Sequence, residues 1–144
     1  IDLGITTLET DKFISYINDF ITETLLYTNS VNTKFDIEAI IKYIDDNFTS
    51  DIYLDQLAEQ FGTSPKYLSR IIKNYLGMGF GQYVASLRIG KAKHMLTRTN
   101  SNINDIVIAT GFNSHNTFIR TFKKLEGIVP SEYRNIFSNG KEKR

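Results

Sequence analysis

The sequence contains no cysteine and no tryptophan, and it has only two prolines and two histidines in 144 residues. Without cysteine there is no disulfide framework and no thiolate metal site, which fits a reducing, cytoplasmic compartment. His94 and His115 are separated by twenty-one positions and have no ligand residues nearby, so we expect no metal site and no cofactor. No apolar run reaches the roughly 20 residues of a membrane span, and no signal peptide is visible. We therefore expect this segment to make no membrane contact.

Signatures of catalysis are also missing. The chain has no nucleophile-elbow motif, no phosphate-binding loop and no cluster of metal ligands. His115 suggests a general base, but no acid or nucleophile lies near it in the pattern. An exposed histidine on a polar helix face is the simpler interpretation. We expect no catalytic residues and no enzyme activity.

Charge is distributed unevenly along the chain although the net charge is only +1. Residues 35–61 carry one base and seven acids, whereas residues 62–98 carry seven bases and no acid. A basic stretch of this kind attracts polyanions such as nucleic acid. An ordinary solvated helix face gives the same pattern, so charge alone leaves both interpretations open.

Apolar residues recur at helical spacing through most of the chain, and no strand pattern extends over more than a few residues. An amphipathic helix is predicted for residues 10–27, with Phe13, Ile17, Phe20, Ile21 and Leu25 on one face. This helix is the tail of a preceding domain, part of a dimer contact, or a helix lying on its own domain. The chain opens with Ile1 rather than Met, and we expect it to be a fragment of a longer protein.

Two helix–turn–helix patterns follow, fifty residues apart. In each, a short helix stops at a glycine, and a basic helix then begins at a capping serine and ends at a second glycine. The three punctuating residues are Gly62, Ser64 and Gly77 in the first pattern, and Gly111, Ser114 and Gly127 in the second. The basic helices are predicted to bury Leu68, Ile71, Ile72 and Tyr75 in the first, and Phe118, Phe122 and Leu125 in the second.

A longer helix is predicted between the two patterns, from about Phe80 to Arg98. Nineteen helical residues extend roughly 28 Å. Two successive major-groove segments on one face of B-DNA lie about 34 Å apart. The separator therefore suits a chain that presents two recognition helices to adjacent turns of one duplex.

The outward faces of both basic helices carry side chains that suit DNA. Arginine makes bidentate contacts to guanine and asparagine to adenine, whereas lysine, serine and threonine suit phosphates. The outward residues are Lys66, Ser69, Arg70 and Lys73 in the first helix, and His115, Asn116, Thr117, Arg120, Lys123 and Lys124 in the second.

These residues resemble the AraC/XylS transcription regulators over about residues 36–135. The most specific motif is G111-F112 followed by F118-x-R120-x-F122-K123, after which Gly127, Pro130 and Tyr133 come at three-residue steps with Arg134 directly after. The first half agrees in L57-A58, S64-x-x-Y67-L68-x-R70, K73 and G77, and in R88-I89-x-x-A92-K93-x-M95-L96 of the separating helix.

The resemblance implies an all-α, homeodomain-like domain of seven helices, in which a long central helix joins two helix–turn–helix subdomains. The subdomains would be residues 35–78 and 99–138, joined by residues 79–98. Residues 1–34 would be an N-terminal helix and linker, and residues 139–144 a tail. The implied function is sequence-specific binding to double-stranded DNA at promoters, usually to activate transcription with RNA polymerase. Homodimers would form through an N-terminal domain outside this segment.

The resemblance also assigns roles along the two basic helices. Base-reading positions of the family fall on Lys66, Ser69, Arg70, His115, Asn116 and Arg120. Phosphate candidates are Ser64, Tyr67, Lys73, Asn113, Ser114, Thr117, Lys123 and Lys124.

Three departures from the family pattern concern stability. Tyr53 and Val129 stand where a capping Ser or Thr is common, and the loss of such a cap typically costs about 1 kcal/mol. Gly90 lies inside the separating helix at a cost of roughly 1 kcal/mol relative to Ala.

A helical protein-interaction module with only nonspecific nucleic-acid affinity is the alternative. The acidic face of residues 36–59 would serve as its partner surface. This interpretation predicts no sequence preference among DNA duplexes.

Overall fold

The computed structural model describes residues 7–30 and 36–138. Within these ranges the chain forms eight α-helices and no strand, which confirms the all-α prediction. The helices are α1 (Thr7–Ser30), α2 (Ile37–Asn47), α3 (Leu54–Gln60), α4 (Pro65–Leu76), α5 (Phe80–Arg98), α6 (Ile103–Thr110), α7 (His115–Glu126) and α8 (Pro130–Ser138). The predicted tail 139–144 and most of the predicted linker before Lys34 lie outside the described residues.

The chain divides into two compact units, residues 1–36 and residues 37–144. In the first unit, α1 confirms the predicted amphipathic helix and extends beyond it at both ends. Phe13, Phe20 and Leu25, which helical spacing places on its apolar face, are each more than half exposed. The second unit contains α2 to α8, the seven helices that the family resemblance implies.

The first helix–turn–helix consists of α3 and α4, and α2 packs against α4. Ile40 and Ile44 of α2 are fully buried, as are Leu68 and Ile72 of α4. Because these residues recur at four-residue steps, each helix turns one apolar stripe inward and leaves its polar stripe in solvent.

The second helix–turn–helix consists of α6 and α7, and it packs on the C-terminal half of α5 and on α8. Its core joins Ile89, Ala92 and Leu96 of α5 to the fully buried Phe118 and Phe122 of α7. Aromatic side chains add edge contacts, because Phe112 lies 5.3 Å from Phe118 and Tyr133 lies 5.4 Å from Phe122, measured between ring centroids.

Helix α5 has the bounds that the sequence predicts and belongs to both halves. At its start, the hydroxyl of Tyr83 donates a hydrogen bond to Asp45 of α2 over 2.6 Å. Burial and this hydrogen bond raise the pKa of Tyr83 to about 12, so the hydroxyl keeps the proton that it donates. The N-terminal half of α5 is thereby attached to the first helix–turn–helix.

Two predicted core residues lie on the surface. Tyr75 is 52% exposed and Leu125 is 49% exposed, so the prediction that they continue the buried stripes is wrong. The half-buried residues in the last turns of α4 and α7 are Leu76 and Glu126 instead. The buried side of each helix therefore continues at intervals of four residues, from Ile72 to Leu76 in α4 and from Phe122 to Glu126 in α7.

The cap departures have different outcomes in the structure. Tyr53 precedes α3 and makes no side-chain cap hydrogen bond, as predicted. At Val129 the backbone N–H donates to the Glu132 carboxylate over 3.4 Å. The backbone N–H of Gly79 likewise donates to the side-chain oxygen of Gln82 over 3.2 Å. Gln82 and Glu132 therefore each accept a hydrogen bond from the backbone N–H of the cap residue that precedes their helix. At Val129 this bond partly compensates for the absence of a capping Ser or Thr side chain.

Gly111 ends α6 with φ +84°, and its backbone lies against the loop that follows α2. A Cβ at residue 111 would lie 2.8 Å from the carbonyl carbon of Thr49, closer than real Cβ contacts come. Gly127 ends α7 with a similar φ of +79°, but nothing lies within 4 Å of a Cβ built there. The two glycines share a backbone conformation and differ only in the space around them.

We expect Gly111→Ala to destabilise the fold much more than Gly127→Ala. An alanine in the left-handed region costs roughly 1 kcal/mol, and overpacking adds typically 1–3 kcal/mol at residue 111 only. The measurement is the free energy of unfolding of both variants by urea titration. Equal losses would show that Gly111 serves only as a helix end.

Candidate nucleic-acid interface

The outward face of α4 carries the predicted contacts of the first helix–turn–helix. Lys66 and Lys73 are exposed, and Ser69 and Arg70 are half-buried. Positions 66, 69, 70 and 73 share one helix face because side chains three and four residues apart are neighbours. The face is therefore polar and basic along its length, with the two lysines at its ends.

Arg70 is held against an aromatic ring of its own helix. Its Cζ lies 5.6 Å from the centroid of the Tyr67 ring, within the range of a cation–π contact. Tyr67 is half-buried and stands one turn before the arginine. The contact limits the conformations of the guanidinium, so Arg70 is partly ordered before any ligand arrives.

The outward face of α7 is more open than that of α4. All of its predicted contact residues are exposed: His115, Asn116, Thr117, Arg120, Lys123 and Lys124. Asn113, in the turn before α7, is exposed as well. The position equivalent to Tyr67 is Thr117, so Arg120 has no aromatic ring one turn before it. The two helices thus repeat the basic residues and differ in how firmly the central arginine is held.

Both helices begin with a capping serine. Ser64 accepts a hydrogen bond from the Tyr67 backbone N–H over 3.2 Å, and Ser114 accepts one from that of Thr117 over 3.1 Å. The Ser114 hydroxyl also donates to the Thr117 hydroxyl over 2.8 Å. These bonds confirm the predicted caps, and the prediction that the same serines contact phosphate stays a prediction.

Helix charges favour an anion at the start of both basic helices. The first turns of α4 and α7 contain no acid, whereas those of α2, α3 and α6 each contain one. Lysines stand in the last turns, at Lys73 in α4 and at Lys123 and Lys124 in α7. Since the macrodipole is positive at the N-terminus, a phosphate at either helix start is favoured and meets no acidic side chain from that first turn.

Two of the seven bases in residues 62–98 are half-buried and bind other parts of the protein. Arg88 donates to the carbonyl oxygens of Phe48 and Ser50, and burial lowers its pKa. Lys93 forms a salt bridge of 3.1 Å with Glu126. The basic stretch therefore presents five outward bases, Lys66, Arg70, Lys73, Lys91 and Arg98.

The sequence contained a signal for these internal roles. Arg88 stands beside Ile89 in the interior of an apolar stripe, and Glu126 is the only acid in α7. Arg134 has a role that parallels that of Arg88, because it donates to the carbonyl oxygens of Leu96 and Ser101 over 3.3 and 2.5 Å. In both places a helix arginine caps backbone carbonyls of a neighbouring segment.

Metal sites and membrane-spanning helices were also sought in the part of the chain that the structure describes. No three His, Asp or Glu side chains there come together in a way that would hold a metal ion. None of the described helices has the length and apolar composition needed to cross a bilayer.

Known proteins share this arrangement. A family model described as a helix-turn-helix domain matches residues 57–136. The HTH-type transcriptional regulator YtdP of Bacillus subtilis is 38% identical over an alignment of 113 positions, which covers 74% of this chain and 15% of that protein. A transcriptional regulator of Chromobacterium violaceum, described as containing an AraC-type DNA-binding domain, is 28% identical with a TM-score of 0.63 over 73% of this chain and 94% of that one. The DNA-binding domain of AdpA, solved with a target DNA, gives a TM-score of 0.69 at 16% identity, over 74% of this chain and 96% of that one, and shows likeness of fold alone.

The seven-helix fold and its two exposed basic helices define a helix-turn-helix domain that binds DNA. More particularly, the chain belongs to the helix-turn-helix domain family of the AraC type. This confirms the resemblance to AraC/XylS regulators and the prediction of a DNA-binding domain of a transcription regulator. The chain spans about 15% of the length of the curated relatives it matches.

Lysines that differ in their partners should differ in their effect on DNA binding. Lys123 is exposed, whereas Lys93 is paired with Glu126. We expect Lys123→Ala to weaken binding to all duplexes alike and to lower the slope of log affinity against log salt by about 1. The matched control, Lys93→Ala, should leave that slope unchanged. The measurement is fluorescence anisotropy at several salt concentrations, and equal slopes for both variants would contradict this assignment.

Proposed function

We propose that this chain is a sequence-specific DNA-binding domain that reads two adjacent major-groove segments of one duplex, with α4 in one groove and α7 in the next. The observation that supports this most is the duplication itself. Two helices, fifty residues apart in sequence, repeat the same cap, the same arginine and the same lysine on exposed faces. A single such helix would suffice for general affinity, whereas two in one chain suit an operator with two elements.

Base reading is assigned to the side chains near the start and middle of each helix. On α4 these are Lys66, Ser69 and Arg70, and on α7 they are His115, Asn116 and Arg120. The N-terminal residues of a recognition helix face base edges in a helix–turn–helix complex. Arg70 and Arg120 suit bidentate contacts to guanine, and Asn116 suits adenine.

Phosphate contacts are assigned to the residues that flank the base-reading positions. They are Ser64, Tyr67 and Lys73 on the first helix, and Asn113, Ser114, Thr117, Lys123 and Lys124 on the second. Such contacts fix the position of each helix on the duplex and carry no sequence information.

The division into residues 35–78 and 99–138 as subdomains, joined by residues 79–98, follows the two helix–turn–helix units. For the intact protein we propose activation of transcription in the bacterial cytoplasm through contact with RNA polymerase. Dimers would form through a domain beyond this segment. We expect no catalytic activity, since the family is one of transcription regulators.

The test is selection of bound duplexes from a random DNA pool with the 144-residue chain at two salt concentrations. We expect enrichment of two elements about one helical turn apart. One enriched element would mean that only one helix specifies sequence. No enrichment, with binding lost at the higher salt, would contradict the proposal and favour the interaction module.

Removing either central arginine should change specificity at one base pair. We expect Arg70→Ala and Arg120→Ala each to cost about 1–3 kcal/mol in binding and to relax preference at a single, different position. The measurement is a competition assay with every single-base variant of the selected duplex. Uniform weakening across all variants would reassign that arginine to phosphate.

The ring beneath Arg70 should sharpen its base preference. We expect Tyr67→Leu to relax preference at the position that Arg70 reads, because the ring no longer restricts the guanidinium. Tyr67→Phe keeps the ring and should keep the preference. Thr117→Val changes the equivalent position on α7 and is the control, because it should leave the preference at the position read by Arg70 unchanged. Because the Tyr67 hydroxyl is assigned to phosphate, its loss should weaken all duplexes alike in both variants. An unchanged base preference in Tyr67→Leu would contradict the role of the ring.

A further inference from the structure

The Arg88 side chain lies where the two helix–turn–helix halves meet. From the middle of α5 it donates to the Phe48 carbonyl over 2.7 Å through Nε and to the Ser50 carbonyl over 2.9 Å through Nη2. Its Cζ also lies 5.8 Å from the centroid of the Phe112 ring. Phe48 and Ser50 belong to the loop between α2 and α3, and Phe112 belongs to the turn between α6 and α7. One guanidinium therefore contacts a loop of the first half and a turn of the second.

The same loop and turn also meet directly. Gly111 lies so close to the backbone of Thr49 that a Cβ would not fit between them. We call Phe48, Thr49, Ser50, Arg88, Gly111 and Phe112 the Arg88 junction. It combines two hydrogen bonds from a charged group, one cation–π contact and one close backbone packing.

The junction leads to both recognition helices. On the second side, the Phe112 ring contacts Phe118 of α7 edge to face at 5.3 Å. On the first side, α2 and α3 enclose the loop, and both pack against α4. A change at the junction is therefore expected to change the position of α7 relative to α4.

The middle of helix α5 contains a glycine, which lowers the stability of the helix there. Gly90 lies two residues beyond Arg88, is exposed, and has no atom within 4 Å of a Cβ built on it. Glycine inside a helix weakens that helix by roughly 1 kcal/mol relative to alanine. Helix α5 connects the two halves and is least stable near Gly90. The Arg88 junction supplies a second connection between the halves at the same place.

We propose that the Arg88 junction fixes the distance between α4 and α7 and so selects the number of base pairs between the two DNA elements. Arg88 is then a positioning residue for spacing specificity, although it contacts no base. This inference rests on the proposed function for its consequence in DNA recognition. Its structural part concerns the protein alone and is measured without DNA.

The first experiment measures the distance between the two helices in the free chain. Because the sequence contains no cysteine, spin labels can be attached only at introduced sites. Asn74→Cys on α4 and Lys124→Cys on α7 are exposed and equivalent positions, fifty residues apart. Pulsed electron paramagnetic resonance then gives the distribution of distances between the labels.

Two changes disrupt the junction in different ways. Arg88→Lys keeps the charge and loses the planar fork that reaches two carbonyls, whereas Phe112→Leu keeps an apolar side chain and loses the ring. Lys91→Ala removes an exposed charge from the same helix and is the control. We expect the first two variants to broaden or shift the distribution and the control to match the parent. An unchanged distribution in a folded Arg88→Lys or Phe112→Leu chain would overturn the inference.

The second experiment measures spacing preference on DNA. Duplexes carry the two selected elements separated by the preferred number of base pairs, or by one or two more or fewer. Losing hydrogen bonds from a charged group changes an equilibrium by about tenfold, and we expect the preference for the best spacing to fall by a similar factor in Arg88→Lys. Phe112→Leu loses only the cation–π contact of Arg88 and should lower the preference by about threefold. Affinity for a duplex with one element should stay within about twofold of the parent, because each helix still reads its own bases.

The outcomes separate the two claims. If the parent chain prefers no sequence, the proposed function fails, while the distance distribution still decides the role of the junction. If the folded variants keep the spacing preference of the parent, the junction does not select spacing. Circular dichroism melts establish which variants are folded, and Phe112→Leu decides the matter if Arg88→Lys is unfolded.

Discussion

The hydrogen bonds from Arg88 to the loop after α2 are the contacts on which the relation between the two halves depends. Each helix–turn–helix has its own apolar core, around Ile40 and Ile72 in one and around Phe118 and Phe122 in the other. Those cores explain why each half folds, and α5 connects the halves because it belongs to both. We infer that Arg88 sets how the halves lie relative to each other, because its charged group caps carbonyls of one half and packs on a ring of the other. The cost of burying such a charge is offset only where its hydrogen bonds are made, so the contact also specifies geometry.

The repeated sequence features give α4 and α7 the same local structure, but their exposed side chains differ. The serine caps and left-handed glycines recur at an interval of fifty residues because they satisfy the same backbone groups at the same helix ends. Tyr67 and Thr117 occupy equivalent positions, yet one supports an arginine and the other accepts a hydrogen bond from its capping serine. The helices share an architecture and present unequal surfaces, as two readers of different bases would.

Much of the fold could be predicted from the sequence because its determinants are local. Serine caps, glycine ends and apolar spacing located α4, α5 and α7 without reference to distant residues, since each feature acts within one or two turns. Tyr75 and Leu125 were wrongly assigned to the core because the last turns place Leu76 and Glu126 on the half-buried side instead, and apolar spacing alone does not distinguish these neighbouring positions. Arg88 and Lys93 were counted in the basic stretch of residues 62–98, and their contacts within the protein could not be predicted because their partners, such as Glu126, come from distant parts of the chain. The contacts proposed for the exposed faces stay predictions, since exposure identifies available side chains and not the atoms that they touch.

The claim that one chain reads two successive grooves is tested most directly by hydroxyl-radical footprinting of a selected duplex. The 144-residue chain would be added at a measured stoichiometry of one protein per duplex, established by sedimentation. We expect two protected segments on the same face of the duplex, with centres about 10 base pairs apart. One protected segment per bound chain, or two segments that are protected only when two chains bind, would contradict it.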